Sequence, residues 1–157
     1  MSKTILTLLI SIIIAQLAGA VGSIFTASSI GSWYAFLEKP AFSPSNWLFA
    51  PAWITLYALM GIAAFLIWQK RGEAGARSAL YFYGGQLILN SLWSVIFFGF
   101  QNPFLAFLEI IVLWLLIAFT TVKFYRIEKA AGLLFVPYIL WVTFAMVLNF
   151  AVWRLNM

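Results

Sequence analysis

Five long apolar runs, at 4–27, 47–69, 78–99, 103–124 and 131–153, fill most of this 157-residue chain. A helix needs about 20 mainly apolar residues to cross a bilayer, and each run supplies that many. Backbone N–H and C=O groups cannot stay unpaired in hydrocarbon, so runs of this length resolve into helices. The expected fold class is all-α integral membrane: a bundle of five transmembrane helices, forming one domain over 1–157. Charged residues make up only 8% of the sequence, against about 25% in soluble domains.

The breaks between runs are chemically sensible. Gly72 and Gly75 punctuate a charged turn after the second run. Asn102-Pro103 reads as an N-cap followed by proline at the first helical position. Gly132 and Pro137 fall near the start of the fifth run, where a mild kink is expected.

Charge sets the orientation. The N-terminus and the second and fourth loops share one side and hold Lys3, Lys70, Arg71, Arg77, Lys123, Arg126 and Lys129; the other side holds Lys39 and Arg154. The positive-inside rule then places the N-terminus in the cytoplasm and the first loop and C-terminus outside, in a cytoplasmic membrane. The net charge of +5 is not gathered on a recognition element, so nucleic acid is not an expected partner. A rival reading takes Lys3, the run Ile5–Ala15 and Ala18-Gly19-Ala20 as a cleavable signal peptide. Against it, apolarity continues through Val21-Gly22-Ser23-Ile24-Phe25 to a full span.

The sequence has no Cys and no His. That excludes disulfides, thiolate or imidazole metal sites, cysteine nucleophiles and histidine acid–base chemistry. Haem could not be held by its usual His or Cys axial ligand. No lysine lies mid-span, which excludes a retinal Schiff base. There is neither a pair of intramembrane carboxylates nor an arginine ladder, so proton pumping, ion-coupled transport and voltage sensing lack their machinery. Phosphate loops and nucleophile elbows are also missing. Glu109 is the one acid inside a span; without an evident basic partner, it reads as structural or interfacial.

Several helical rows remain to be explained. Ala15, Gly19 and Ser23, flanked by Ala18 and Gly22, make a small-residue stripe suited to close helix packing, or to one wall of a ligand site. Gln86, Asn90 and Ser94 recur every fourth residue, with Trp93 beside them. An unpaired amide at that depth costs several kcal/mol, so Asn90 either bonds between helices or is offered to a ligand. Trp53, Tyr57, Gly61, Ala64 and Trp68 form a stripe on the second span; Tyr138, Trp141, Ala145 and Asn149 lie on the fifth. Trp68 and Trp153, at span ends, suit an interfacial belt. Trp53, Trp93 and Trp141 lie deeper, and three helices aiming aromatics at one depth suggest a lined cavity.

The first loop, WYAFLEKPAFSPSNW at 33–47, is too broken to span and too aromatic for an idle linker. Pro40 and Pro44 restrict its backbone, which lowers the entropy lost on closing over a cavity. Trp33, Tyr34 and Phe42 can turn inward as a lid, and Ser45-Asn46 can cap the second span. The bland alternative is an interfacial aromatic anchor.

These residues together resemble the TspO/MBR family of tryptophan-rich sensory proteins and mitochondrial translocator proteins. The likeness rests on four motifs in order. The first loop carries Trp33-Tyr34-x-x-Leu37-x-Lys39-Pro40-x-Phe42-x-Pro44. The second span carries Phe49-x-Pro51-x-Trp53-x-x-Leu56-Tyr57-x-Leu59-Met60-Gly61, and the third Gln86-Leu87-x-x-Asn90-x-x-Trp93-Ser94-x-x-Phe97-Phe98. The fifth carries Pro137-Tyr138-x-x-Trp141-x-x-x-Ala145-x-x-Leu148-Asn149.

The resemblance implies five retained helices, a homodimer, and one pocket per protomer lidded by the first loop. It implies a porphyrin or haem-type tetrapyrrole as ligand, with no cofactor required; synthetic isoquinoline or benzodiazepine-like drugs and, in animal members, cholesterol also bind. Trp53 and Asn90 match the positions that contact a ligand carbonyl, and Tyr34, Pro44, Trp93, Trp141 and Ala145 match cavity-lining positions. Some bacterial members degrade protoporphyrin in light, which makes Trp53 and Trp141 candidate catalytic residues. The sterol motif departs from the pattern: Phe150 stands where it needs a tyrosine, and that motif class is weak. The expected function is thus a tetrapyrrole-binding membrane sensor or transport regulator. A light-dependent porphyrin-degrading enzyme and a tetrapyrrole or lipid transporter are the alternatives. Lys39, near the outer mouth, is a candidate partner for a porphyrin propionate.

Overall fold

The computed structural model describes residues 2–157, and among them it is helical with no strand. Its elements are α1 (Lys3–Ser29), the short α2 (Trp33–Phe36), a 3-10 turn at Asn46–Leu48, α3 (Phe49–Gln69), α4 (Ala76–Ser94) running into a π-helical turn (Val95–Gly99), α5 (Pro103–Ile127), α6 (Lys129–Leu134) and α7 (Val136–Leu155).

Four helical segments are long and apolar enough to cross a membrane: Lys3–Ser29, Asn46–Gln69, Pro103–Ile127 and Lys129–Leu155. The chain is a multi-pass membrane protein. The expected span at 78–99 forms α4 and the π turn, but it does not meet the same apolarity. Its tyrosines, paired glycines, Gln86 and Asn90 replace aliphatic residues.

Helix ends follow local chemistry. The Ser2 hydroxyl accepts from the Ile5 N–H, and the Asn102 carboxamide from the Leu105 N–H at 3.0 Å, with Pro103 opening α5 as expected. Gly75 precedes α4 with φ 85°, a conformation that costs glycine little. The expected cap of the second span is not formed. Leu48 precedes α3, and neither Ser45 nor Asn46 caps with its side chain. The Leu48 N–H instead turns back to the Ser45 carbonyl at 3.0 Å, and this single 3-10 turn leads the chain into α3. The expected kink in the last run is a break at Phe135, where Pro137 brings no N–H to the ladder.

The long helices close into a ring: α1 beside α3, α3 against α6 and α7, α7 beside α5, α5 beside α4, and α4 back against α1. Close approach is built into α1 and α3. A Cβ placed on Gly61 would lie 2.5 Å from Ile12 Cα, so the two backbones touch only because position 61 has no side chain. At this inner end Met60, Ala63, Ile67, Ala79, Ile117, Phe124 and Phe135 fill the ring.

The two ends of the bundle are distinct. Lys70 Nζ lies 2.9 Å from Glu128 Oε2 and donates to the Ile127 carbonyl at 3.1 Å, tying the α3–α4 turn to the end of α5. At the opposite end the Glu38 N–H donates to Asn156 Oδ1 and Asn156 Nδ2 donates to the Glu38 carbonyl, both at 2.9 Å. The first loop and C-terminus therefore share one end, and the second and fourth loops the other.

Lys70 holds the Glu128 carboxyl below the usual carboxylate range, and Glu128 in turn raises the Lys70 ammonium. The Glu128 contribution is present above the unfolded carboxylate pKa and is lost as pH falls through the depressed folded value. The Lys70 contribution is full below the unfolded lysine pKa and lost as pH rises through its raised value. Both groups face water, so the effect is small. Lys70→Ala is expected to lower the thermal midpoint slightly, and added salt or acidification should erase the difference from wild type.

Candidate ligand-binding cavity

A cavity of about 630 Å³ occupies the end of the ring nearest the first loop. It lies beyond the inner half of the ring, which side chains fill. Walls come from the C-terminal half of α1, the N-terminal half of α3, the C-terminal end of α4, α7 from Trp141 to Val152, and Ile110 and Leu113 of α5. The small-residue stripe of α1 serves both purposes open to it. Gly19 packs under the Tyr57 ring and the Ser91 hydroxyl donates to the Ala18 carbonyl at 2.8 Å, while Gly19 and Ser23 face the cavity.

The floor is a polar network. The Tyr57 hydroxyl donates to Asn90 Oδ1, Asn90 Nδ2 donates to the Tyr138 hydroxyl at 2.9 Å, and that hydroxyl donates to Gln86 Oε1 at 2.7 Å. Each of these four side chains thus finds a partner, and the Asn90 amide is fixed in one orientation. The interhelical role weighed for Asn90 is present. One N–H and one lone pair of that amide remain, and Asn90 still borders the cavity. Tyr138→Phe removes the hydroxyl between Asn90 and Gln86. It is expected to cost about 1–2 kcal/mol, read as a lower thermal midpoint, while Tyr125→Phe, at an exposed side chain, should be neutral.

Aromatic walls rise above this floor. Trp53 stacks on Tyr57 with centroids 5.4 Å apart and meets Trp141 edge to face at 6.4 Å. Trp93 stacks on Phe97 at 5.0 Å. The π turn lets adjacent Phe97 and Phe98 both pack inward; its bond runs from the Phe100 N–H to the Val95 carbonyl, and the Ser29 hydroxyl takes up the Phe98 carbonyl at 2.7 Å. The three indoles are not equivalent. Trp93 Nε1 donates to Asn149 Oδ1 at 2.9 Å, whereas Trp141 Nε1 is buried without a partner and Trp53 Nε1 makes no hydrogen bond among the described residues. The Trp53 and Trp141 rings both border the cavity, so its wall is rich in indole surface.

The first loop covers the outer end. Tyr34 is 5% exposed and packs on Phe98 at 5.5 Å; Trp33 meets Phe97 edge to face at 5.7 Å. Burial pushes the Tyr34 phenol above its ordinary pKa. Phe42 stays half exposed, with its ring 6.4 Å from Phe144.

Tyr34, Trp53, Asn90, Trp93, Trp141 and Ala145 all border the one cavity. Pro44 does not. It lies in a separate apolar groove with Leu48, Pro137, Leu140 and Phe144 that shares only Trp141 with the cavity. Lys39 is also turned aside: its ammonium donates to the Leu37 carbonyl at 3.0 Å and lies 4.6 Å from the Tyr34 ring centroid. The Glu109 carboxylate is buried without a partner among the described residues, away from the cavity lining. Of the belt tryptophans, Trp68 is exposed beneath Arg71, while Trp153 stacks on Phe107 at 5.8 Å. Tyr57 and Tyr138 were expected on stripes, not as partners of Asn90; their signal was the helical register they share with Trp53 and Trp141.

The sequence itself is similar to a family of known proteins. The TspO/MBR family profile matches residues 11–154. The chain is 45% identical to the tryptophan-rich protein TspO of Archaeoglobus fulgidus, over 97% of this chain and 98% of that one. It is 43% identical to the tryptophan-rich sensory protein of Cereibacter sphaeroides, over 79% and 77%. It is 38% identical to the human translocator protein, over 87% and 82%. With a family match over nearly its whole length and relatives this similar along most of theirs, the chain belongs to the TspO/MBR family.

Proposed function

We propose that this protein binds a tetrapyrrole within the membrane and acts as a sensor or transport regulator. The observation that carries the reading is an aromatic cavity of about 630 Å³ bordered by Trp53, Trp93 and Trp141, of which Trp53 and Trp141 have indole N–H groups without a partner among the described residues. Such a volume falls within the about 300–1,000 Å³ of small-molecule sites, and the mostly apolar lining with a few polar groups is their usual form. A flat macrocycle would lie against Trp53, Trp93 and Trp141, with Trp53, Trp141 and the remaining Asn90 N–H directed at its acceptor atoms. Relatives named as sensory and translocator proteins support the regulatory role.

The bundle is read as five spans, α4 included, because α4 completes the ring between α1 and α5. The basic loops orient its N-terminus to the cytoplasm. Titration with protoporphyrin IX, followed by intrinsic tryptophan fluorescence in vesicles, tests the proposal. Saturable binding at one macrocycle per chain is expected; quenching that never saturates and matches partition into the lipid alone would remove it.

A second reading, light-dependent degradation of the bound porphyrin by dioxygen, draws on the contact series Tyr57–Trp53–Trp141, along which the positive charge left when an indole gives an electron to the photoexcited macrocycle could move. Under illumination the Soret band should then fade more slowly in Trp53→Phe and Trp141→Phe. Equal fading would leave only sensitised damage.

A further inference from the structure

We propose that the cavity takes its ligand from the bilayer, through a lateral portal between α1 and α3, and not past the first loop. Among the described residues, the exposed members of the cavity lining are Ala20, Ser23 and Ala27 of α1, Asn46 in the turn before α3, and Ala50 and Ile54 of α3. The lining residues on α4, α5 and α7 are buried or half-buried. Exposure is therefore confined to the seam between two neighbouring helices.

The seam has the chemistry of a passage. Positions 20, 23 and 27 recur on one face of α1, and 50 and 54 on one face of α3. Their side chains are small except for Ile54. Ser23 spends its hydroxyl on the Ala20 carbonyl at 2.8 Å, so the α1 rim is smooth and offers a passing solute little to bind. The lower edge is shut: Gln16 Nε2 donates to the Ile54 carbonyl at 2.9 Å, and below it the backbones meet at Gly61 and Ile12.

The outer end is closed by comparison. Tyr34 is wedged against Phe97 and Phe98, and the loop behind it is held by the paired Glu38–Asn156 hydrogen bonds. Asn156 is itself anchored to the Val152 carbonyl at 2.8 Å. A flat amphiphile dissolved in the outer leaflet meets the open seam directly, whereas entry from water requires both hydrogen bonds and the Tyr34 packing to break.

The inference rests on the cavity being the binding site, and two measurements separate its failure from that of the tetrapyrrole reading. In vesicles, stopped-flow binding of protoporphyrin IX should be slowed about tenfold in both association and dissociation by Ala27→Trp. Ala50→Phe, a second rim variant, should behave alike, and Asn156→Ala, which unties the loop, should leave both rates unchanged. Unchanged rates in the rim variants, a change in dissociation alone, or faster association in Asn156→Ala would overturn the portal.

The second measurement needs no porphyrin. The chain has no cysteine, so Ala145→Cys places a single thiol on the α7 wall. A pyrene maleimide dissolved in the bilayer should label it, and Ala27→Trp in the same chain should slow labelling about tenfold. Equal labelling with and without the rim tryptophan would reject the portal even if the porphyrin does not bind.

Discussion

Gly61→Leu is expected to lose about 3 kcal/mol or more of stability, because overpacking alone costs about 1–3 kcal/mol where side chains can shift. At Gly61 nothing can shift cheaply. The atoms a Cβ would meet are Ile12 Cα at 2.5 Å, Ile12 N at 2.9 Å and the Ser11 carbonyl at 3.0 Å, all main chain of another helix. Accommodating a side chain means parting α1 from α3 at their crossing. That would also release the Gln16–Ile54 hydrogen bond and open the cavity floor. Gly84 provides the control, since a Cβ there meets nothing within 4 Å. Gly84→Ala should be neutral or stabilising by up to about 1 kcal/mol, from helix propensity alone. Thermal denaturation in detergent reads both; equal midpoints for Gly61→Leu and Gly84→Ala would reject the backbone contact as a constraint.

The second large effect concerns binding. Trp53→Phe, Asn90→Ala and Trp141→Phe in one chain should weaken protoporphyrin IX by about 100-fold, or about 2.7 kcal/mol. Two indole donors and an amide donor are removed, each worth about 0.5–1.5 kcal/mol. Aromatic contact is reduced but retained by phenylalanine, so the loss falls mainly on hydrogen bonds. Asn90→Ala also strands the Tyr57 hydroxyl and takes from the Tyr138 hydroxyl the donor it accepts from. The single variant Trp53→Phe, which leaves that network whole, should therefore retain the wild-type thermal midpoint while binding more weakly. Wild-type affinity in the triple variant would place the macrocycle elsewhere.

Much of this architecture was legible because lipid leaves a chain few options. Apolar length located the helices, Asn102-Pro103 marked the start of α5, and the helical rows of Trp53, Asn90, Trp93 and Trp141 converge on one cavity. The amide-bearing α4 shows where apolarity alone falls short: its membership of the ring follows from neighbours, not hydropathy. Three features needed coordinates. Pro44 and Lys39 lie in a loop without periodicity, so no pattern says which way they turn. The Asn90–Tyr138–Gln86 network joins residues 48 and 52 positions apart. The Val95–Gly99 π turn depends on a hydrogen-bond register that composition does not reveal.

A structure determined with protoporphyrin IX bound tests the central claim most directly. The macrocycle should lie between Trp53, Trp93 and Trp141, with the Trp53 and Trp141 indole nitrogens within about 3 Å of acceptor atoms. Density for the porphyrin in the outer groove of Pro44, Leu48 and Leu140, with the central cavity holding only lipid, would contradict it.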